Sequence, residues 1–265
     1  MKETVFRVDG NDIGVLNASA ASARTAVLLL NAGAIRRAGP FRLHVHAARH
    51  FAALGFPTLR VDQPGIADYV ATARRPLSEM LSDLLDNLQR ETGCERFVVG
   101  GVCSAADSAW QLGLKDPRVA GLLLLDPMAR REAPGFRLGQ LQLMLQRGPA
   151  GWIDMLTRRL ARRSAGPRTT DEQLRDWPAP GKEASQLAEL VERNVEHFVL
   201  FTGGAASYFT HPQQFFAGYG SAARSPLVHF EYWRQCDHLF FRPADRERLV
   251  AGVGHWLLDR FGAAG

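Results

Sequence analysis

The stretch that decides the fold is Phe97-Val98-Val99-Gly100-Gly101-Val102-Cys103-Ser104-Ala105-Ala106-Asp107. It begins as an apolar run, passes through a turn of small residues, and continues with residues that suit a helix. A sharp strand-to-helix turn brings neighbouring backbones too close for large side chains, so small residues flank its centre. Such a turn raises its central side chain above the sheet and aims the next backbone N–H at the same place. The sequence therefore predicts a reactive side chain here.

Two residues compete for the centre of this turn. With Cys103 there, the flanking positions are Gly101 and Ala105, both small. With Ser104 there, one flanking position is a branched valine, which fits badly. The steric argument favours Cys103. The alternative without function is a buried, inert cysteine at a strand end, since free cysteine is among the most buried residue types.

Short apolar runs alternate with helical patterns along the rest of the chain. Strands are predicted over residues 4–8, 13–16, 26–30, 57–61, 96–100, 119–125, 198–201 and 227–232. The central runs are apolar nearly throughout, which is typical of strands buried on both faces of a parallel sheet. Apolar stripes and helix-ending glycines predict helices over residues 42–54, 76–91 and 246–261. This order predicts an α/β fold with a mostly parallel sheet.

Residues 130–196 interrupt the alternation. The stretch has apolar residues at helical spacing and is too long for an ordinary connection inside an α/β sheet. We predict a helical cap at 130–196, inserted into a core made of residues 1–129 and 197–265.

Length and composition exclude several classes of protein. The chain has 265 residues, 46% hydrophobic and 22% charged, which is the balance of a globular protein with a sizeable core. No apolar run approaches the roughly 18 residues that span a bilayer, and no signal segment is recognised at the N-terminus. Three cysteines without C-x-x-C spacing predict no disulfide framework and make a reducing cytoplasm the expected location. No aromatic platform accompanies the basic residues, so no nucleic-acid partner is expected.

Other candidate residues follow the predicted strands. The small-residue loop after the third strand offers the backbone N–H of Gly33 or Ala34 as an oxyanion donor, beside that of Ser104. His238 lies in a loop before the last helix and is the candidate general base, in the order nucleophile before histidine. We therefore expect the loops after the third, fifth and last strands to share one site.

The remaining histidines give no metal prediction. His44, His46 and His50 lie on the first predicted helix, the last two one helical turn apart, but no H-E-x-x-H pattern accompanies them. Helix-surface histidines are therefore the simpler interpretation. His211 is expected to be a helix-end residue. No metal and no cofactor is predicted.

Six segments in order along the chain carry a family resemblance: Asn31-Ala32-Gly33, Gly39-Pro40-Phe41-Arg42-Leu43, Arg60–Gly65, Gly101–Ala105, Asp116–Gly121 and Asp237-His238. With them the whole chain resembles the α/β hydrolases of the serine aminopeptidase-like group. Within that group it is similar to bacterial hydrolases associated with exosortase and exopolysaccharide systems. The resemblance implies an α/β-hydrolase fold with an eight-stranded sheet. It also implies ester or thioester hydrolysis or acyl transfer, with Cys103 as nucleophile and His238 as base.

The sequence departs from this family at the third catalytic position. Such enzymes commonly have an acid in the loop after the seventh strand, whereas Thr202–Tyr208 contains no carboxylate. Asp126, directly after the sixth strand, is a substitute position, while Asp237 is expected to point elsewhere. A Cys–His dyad is the simpler interpretation, because a thiol with a pKa of about 8.5 can become a thiolate beside an imidazolium.

Two functions from different classes remain. The first is an acyl hydrolase or acyltransferase with a covalent acyl-Cys103 intermediate and a small-molecule acyl substrate, possibly bound to coenzyme A or a carrier protein. The second is a catalytically silent binding or assembly protein of the same fold, which the missing acid favours.

The segment between residues 130 and 170 is strongly basic, because it contains nine arginines and only two acidic residues. The arginines form either a solvated surface or a docking surface for an anionic partner. In the second case we expect an acyl pocket beneath this surface, lined by Leu138, Leu141, Leu145, Ile153, Leu156 and Leu160.

Overall fold

The computed structural model describes residues 2–8, 11–19, 24–33, 35–63, 76–143, 145 and 181–262. Its strands are β1 (Glu3–Val8), β2 (Asn11–Asn17), β3 (Thr25–Leu30), β4 (Thr58–Val61), β5 (Arg96–Val102), β6 (Val119–Leu125), β7 (Glu196–Thr202) and β8 (Val228–Trp233). Its helices are α1 (Leu43–Ala53), α2 (Leu77–Thr92), α3 (Ser104–Lys115), α4 (residues 136–143), α5 (Lys182–Glu192), α6 (Pro212–Gly218) and α7 (Pro243–Phe261). All eight predicted strands are confirmed.

The strands form one sheet in the order β1-β2-β4-β3-β5-β6-β7-β8. β2 pairs antiparallel with β1 and β4, and the strands from β4 to β8 run parallel to one another. This is the α/β-hydrolase sheet that the sequence predicts. Because parallel strands end at the same edge of a sheet, the loops after β3, β5, β6 and β7 meet at that edge.

Helices cover both faces of the sheet. Leu84 and Leu88 of α2 pack in the same core as α3, α5 and α6 on one face. Phe51 of α1 and Leu257 of α7 pack on the other face. Each such leucine is almost fully buried, and its burial stabilises the fold by about 1.5–3 kcal/mol.

The helix ends follow local chemistry. α2 begins after Pro76 and ends at Gly93, which has a left-handed φ of 71° and donates its N–H to the carbonyl of Gln89, as the pattern predicts. α7 begins at Pro243, three residues before the predicted start at Arg246. Proline suits the first turn of a helix because its fixed φ is helical and its missing N–H has no partner there.

The segment predicted as a cap lies mostly outside the described residues, so its outline stays a prediction. Its last part, α5, contacts α3, and both Leu187 and Leu190 are buried in the same core as the sheet. A 2.6 Å ion pair between Arg130 and Glu183 joins the residues after β6 to α5. None of the helices in the described ranges is long and apolar enough to cross a membrane.

Candidate active site

The turn between β5 and α3 has the strained geometry that its small residues indicate. Cys103 has φ 58° and ψ −123°, a conformation that costs a non-glycine residue roughly 1–3 kcal/mol. A Cβ added to Gly101 would lie 2.6 Å from the Cβ of Ala105 and 2.6 Å from the carbonyl oxygen of Leu30, so only glycine fits. Ser104 is the first residue of α3. The residue presented by the turn is therefore Cys103.

His238 lies between this cysteine and an acid. Its Nδ1 is 2.6 Å from Oδ2 of Asp126, and its ring also hydrogen-bonds the side chain of Cys103. Burial lowers the pKa of His238, but the hydrogen bonds to Asp126 and Cys103 outweigh burial and raise the pKa from 6.5 to about 10. The imidazole is therefore held between the Asp126 carboxylate and the Cys103 sulfur, in surroundings that favour its charged form.

Asp126 is fully buried and held in place by residues of the next strand. The backbone N–H of Thr202 donates to Oδ1 at 2.6 Å, and the Thr202 hydroxyl donates to Oδ2 at 2.7 Å. The hydroxyl of Tyr208 donates to the Asp126 backbone carbonyl at 3.0 Å. Thr202 and Tyr208 had no predicted role. The signal that was available is a hydrogen-bonding threonine at the end of β7, beside the strand that carries the acid.

Two positions of the loop after β7, Gly203 and Gly204, accept only glycine. A Cβ added to Gly204 would lie 2.1 Å from the backbone nitrogen of His238, and one added to Gly203 would lie 1.9 Å from the carbonyl oxygen of Arg234. The two glycines therefore let this loop pack directly against the segment that carries the histidine. The acid reaches the ring from β6 instead.

The Asp237 carboxylate binds the backbone of its own loop. Oδ1 accepts the backbone N–H of Leu239 and Oδ2 accepts that of Phe241, each at 2.9 Å. This agrees with the expectation that Asp237 points elsewhere.

The loop after β3 and the start of α3, which were predicted to supply the oxyanion donors, are in contact. The N–H of Gly33 donates to the Ser104 hydroxyl at 3.1 Å, which places the loop after β3 against the start of α3. Asn31 fixes this loop: its Oδ1 accepts the N–H of Gln63 at 2.7 Å, and its carbonyl accepts the Gln63 amide at 2.7 Å. Asn31 and Gln63 had no predicted role. Ala34, the other predicted donor, lies outside the described residues.

The histidines of α1 differ from one another. His46 is exposed and His50 half-buried, but His44 is buried with neither ring nitrogen hydrogen-bonded to a described residue, which corrects the view of them as surface histidines. Burial, with a contribution from the charge of Arg60, lowers the pKa of His44 to about 4. Within the described ranges, no group of three or more histidine, cysteine or acidic residues could hold a metal. His211 caps α6 by accepting a backbone N–H, as expected of a helix-end residue.

A cavity of about 580 Å³ lies beyond the acid. Met128 and Ala129, which follow β6 directly, line one side, and Tyr219 and the Arg130–Glu183 ion pair line others. Its volume is in the range of small-molecule sites. The leucines of the α4 segment that were predicted to line an acyl pocket are instead well exposed, at 46%, 51% and 65% for Leu138, Leu141 and Leu145. The other predicted lining residues (153, 156 and 160) and six of the nine arginines lie outside the described residues.

Solved structures with the same fold are numerous. A thermophilic esterase from Thermogutta terrifontis is 19% identical with a TM-score of 0.56, and the match covers 98% of this chain and 100% of that one. A dienelactone hydrolase from Anabaena variabilis is 13% identical with a TM-score of 0.56, covering 98% of each chain. A proline iminopeptidase-related protein from Thermus thermophilus is 15% identical with a TM-score of 0.54, covering 98% of this chain and 99% of that one.

These similarities show that the chain has the α/β-hydrolase fold. No protein-family model matches the sequence, and no curated protein matches it. Because one fold supports many activities, the function has to be argued from the residues of the site.

Proposed function

We propose that the protein is an acyl hydrolase or acyltransferase that cleaves esters or thioesters through a covalent acyl-Cys103 intermediate. The observation that carries the proposal is the strained Cys103 at the start of α3, hydrogen-bonded to a His238 that is itself paired with the buried Asp126. Strain of this kind persists where the surrounding structure enforces it, commonly at active sites. The lack of an acid in the loop after β7 was the main argument for a silent binding protein. The contact between His238 and Asp126 removes that argument.

In the first half-reaction, the Cys103 thiolate attacks the carbonyl carbon of the substrate. The C–S bond forms as the carbonyl π electrons move to oxygen, where the N–H of Ser104 can stabilise the negative charge. The N–H of Gly33 can join it when the substrate oxygen replaces the Ser104 hydroxyl as its acceptor. The carbonyl re-forms, the bond to the leaving oxygen or sulfur breaks, and protonated His238 gives its proton to that leaving group. The acyl group is then a thioester of Cys103, and His238 is neutral.

In the second half-reaction, neutral His238 takes a proton from water or from an acceptor alcohol, amine or thiol. The oxygen, nitrogen or sulfur so activated attacks the acyl carbon, and Cys103 leaves as a thiolate beside the reprotonated histidine. Water completes a hydrolysis, and another acceptor completes a transfer. Asp126 keeps the Nδ1 proton in place throughout, so that Nε2 faces the reaction.

The nucleophile favours esters and thioesters over amides. A tetrahedral intermediate expels its better leaving group, and a cysteine thiolate leaves far more readily than an amine. A substrate thiolate leaves about as readily as Cys103, and an alkoxide leaves once His238 protonates it. A reducing compartment such as the cytoplasm belongs to the same proposal, because Cys103 must stay a thiol.

We place the acyl group in the cavity beyond Asp126, where Met128, Ala129 and Tyr219 form an apolar side and Arg130, Glu132 and Glu183 a charged side. Delivery of the substrate on coenzyme A or a carrier protein, and the relation to hydrolases of exosortase and exopolysaccharide systems, are finer parts of the proposal that rest on the sequence alone. Ala133→Trp would fill part of the cavity. We expect it to raise KM for long-chain esters more than for acetyl esters, and equal effects on both would contradict this placement.

The direct test is intact-mass spectrometry after incubation with a panel of acyl-coenzyme A and aryl ester donors. We expect one acyl adduct on the wild type and none on Cys103→Ala. Iodoacetamide supplies a substrate-independent measure: Cys103 should alkylate much faster than Cys94 and Cys236, which are buried. If Cys103 alkylates at the same rate in the folded and the unfolded protein, and no donor leaves an adduct, the silent binding protein is favoured instead.

A further inference from the structure

The loop from Asp237 to Phe241 joins β8 to α7 and carries the histidine. The Asp237 carboxylate receives the N–H groups of Leu239 and Phe241 from within the loop, each at 2.9 Å. From α7, Nη1 of Arg246 donates to the carbonyl oxygens of Phe240 and Phe241, both at 2.7 Å. One carboxylate and one guanidinium therefore bind two donors and two acceptors of the same five-residue loop.

We propose that Asp237 and Arg246 are positioning residues that together hold the loop so that His238 reaches both Asp126 and Cys103. The inference rests on the proposed function, because it assigns these two residues a role in the reaction of Cys103. Neither residue is expected to touch the substrate or to exchange a proton with it.

Polar contacts add to the apolar burial of one loop side chain, Phe240. Leu239 and Phe241 are 39% and 65% exposed, so their side chains contribute little packing. Phe240 is buried but has a left-handed φ of 55°, a conformation that a bulky residue adopts only when its surroundings enforce it. Charge-assisted hydrogen bonds are about twice as strong as neutral ones, which suits the carboxylate and the guanidinium to this task.

Arg246 also ties the loop to the segment before α1. Its guanidinium lies 5.6 Å from the centre of the Phe41 ring, and that ring meets Phe241 edge to face at 5.2 Å. Phe41 itself has a left-handed φ of 47°. The loop is thus fixed from α7 on one side and from the chain that follows β3 on the other.

The experiment compares Asp237→Asn, Asp237→Ala and Arg246→Met with the wild type and with Glu247→Gln. Glu247 is an exposed acid next to Arg246 on α7, and the four hydrogen bonds described above involve Asp237 and Arg246 instead, so its variant controls for a change of charge. The first readout is the pKa of His238, followed by NMR of ¹⁵N-labelled imidazole. The second readout is the iodoacetamide rate of Cys103 at pH 7, resolved by peptide mass spectrometry.

We expect Asp237→Ala and Arg246→Met to lower the pKa of His238 by about one unit and the alkylation rate by about tenfold, because a displaced ring loses part of its contact with the acid. The charged groups that set this pKa are Asp126 after β6 and Cys103 at the turn after β5, and both are left unchanged. Asp237→Asn keeps the size of the side chain but turns an amide donor toward one N–H, so it should shift both readouts in the same direction. Glu247→Gln should match the wild type.

A wild-type pKa and a wild-type alkylation rate in both Asp237→Asn and Arg246→Met would overturn the inference. If Asp237→Ala does not fold, these two milder variants decide the question. The NMR readout needs no substrate, so the two proposals can fail separately. A shifted pKa without any acyl adduct on the wild type would uphold the positioning role and reject the enzyme, and the reverse pattern would reject the positioning role alone.

Discussion

Asp126→Asn is the sharpest test of how the acid acts. The carboxylate accepts three hydrogen bonds at 2.6–2.7 Å: two from Thr202 and one from the Nδ1 of His238. Asparagine has the same size but only one acceptor oxygen. If that oxygen keeps the Thr202 N–H, the amide NH₂ group faces Nδ1, and the hydrogen bond that stabilises the charged ring is lost.

The magnitude follows from the bond that is lost. A hydrogen bond to a charged partner contributes about 1.5–3 kcal/mol, which corresponds to about one to two pKa units. The pKa of His238 should therefore fall from about 10 to about 8–9. A less firmly held His238 pairs more weakly with the Cys103 thiolate at pH 7, which should slow both alkylation and acylation of Cys103 by about 10- to 100-fold.

The assay is a titration of the labelled imidazole, combined with iodoacetamide and acyl-donor kinetics on the same samples. Asp259→Asn is the matched control, because that carboxylate is 73% exposed and lies on α7 away from the turn at Cys103. Urea unfolding checks that the variant is folded. A His238 pKa near 10 together with wild-type rates in Asp126→Asn would refute the reasoning, since the acid would then neither charge nor orient the ring.

Three further predictions concern the same site. Ser104→Ala removes a hydroxyl but keeps the backbone N–H, so acyl adducts should still form within about tenfold of the wild-type rate, and complete loss would argue against Cys103 as the nucleophile. Gly204→Ala places a methyl group against the His238 backbone and should lower the free energy of unfolding by about 1–3 kcal/mol in urea. Gly252→Ala, where no atom lies within 4 Å of the added methyl on α7, should instead raise it by up to about 1 kcal/mol. Because the folded pKa of His238 exceeds its unfolded value of 6.5, its stabilising contribution is complete below pH 6.5 and is lost as pH rises through about 10. The stability difference between wild type and His238→Gln in urea should shrink across that range, and a constant difference would contradict the raised pKa.

Periodicity and local sterics were enough to predict much of the fold. β6 (Val119–Leu125) has the predicted boundaries, because an uninterrupted apolar run of that length suits only a strand buried on both faces. The end of α2 at Gly93 follows from one residue that tolerates a left-handed φ. The register of the turn at Cys103 follows from the small residues on either side of it. Each of these features depends on residues within a few positions along the chain.

The acid partner of the histidine depended on contacts that no local pattern contains. Asp126 and His238 are 112 residues apart, and they meet only because the loops after β6 and β8 reach the same edge of the sheet. The missing acid after β7 looked like a defect in the sequence, and the structure shows why glycine is required there, since Gly204 packs against the His238 backbone.

Hydrophobic periodicity and steric size act over short stretches of chain, so the strands, the ends of α1 and α2 and the residue at the centre of the turn could be predicted from sequence. The pairing of His238 with Asp126 and the contact between Gly33 and Ser104 join residues 112 and 71 positions apart. Those pairings are set by the order of strands in the sheet and by the close approach of backbones, which depend on the whole chain being folded.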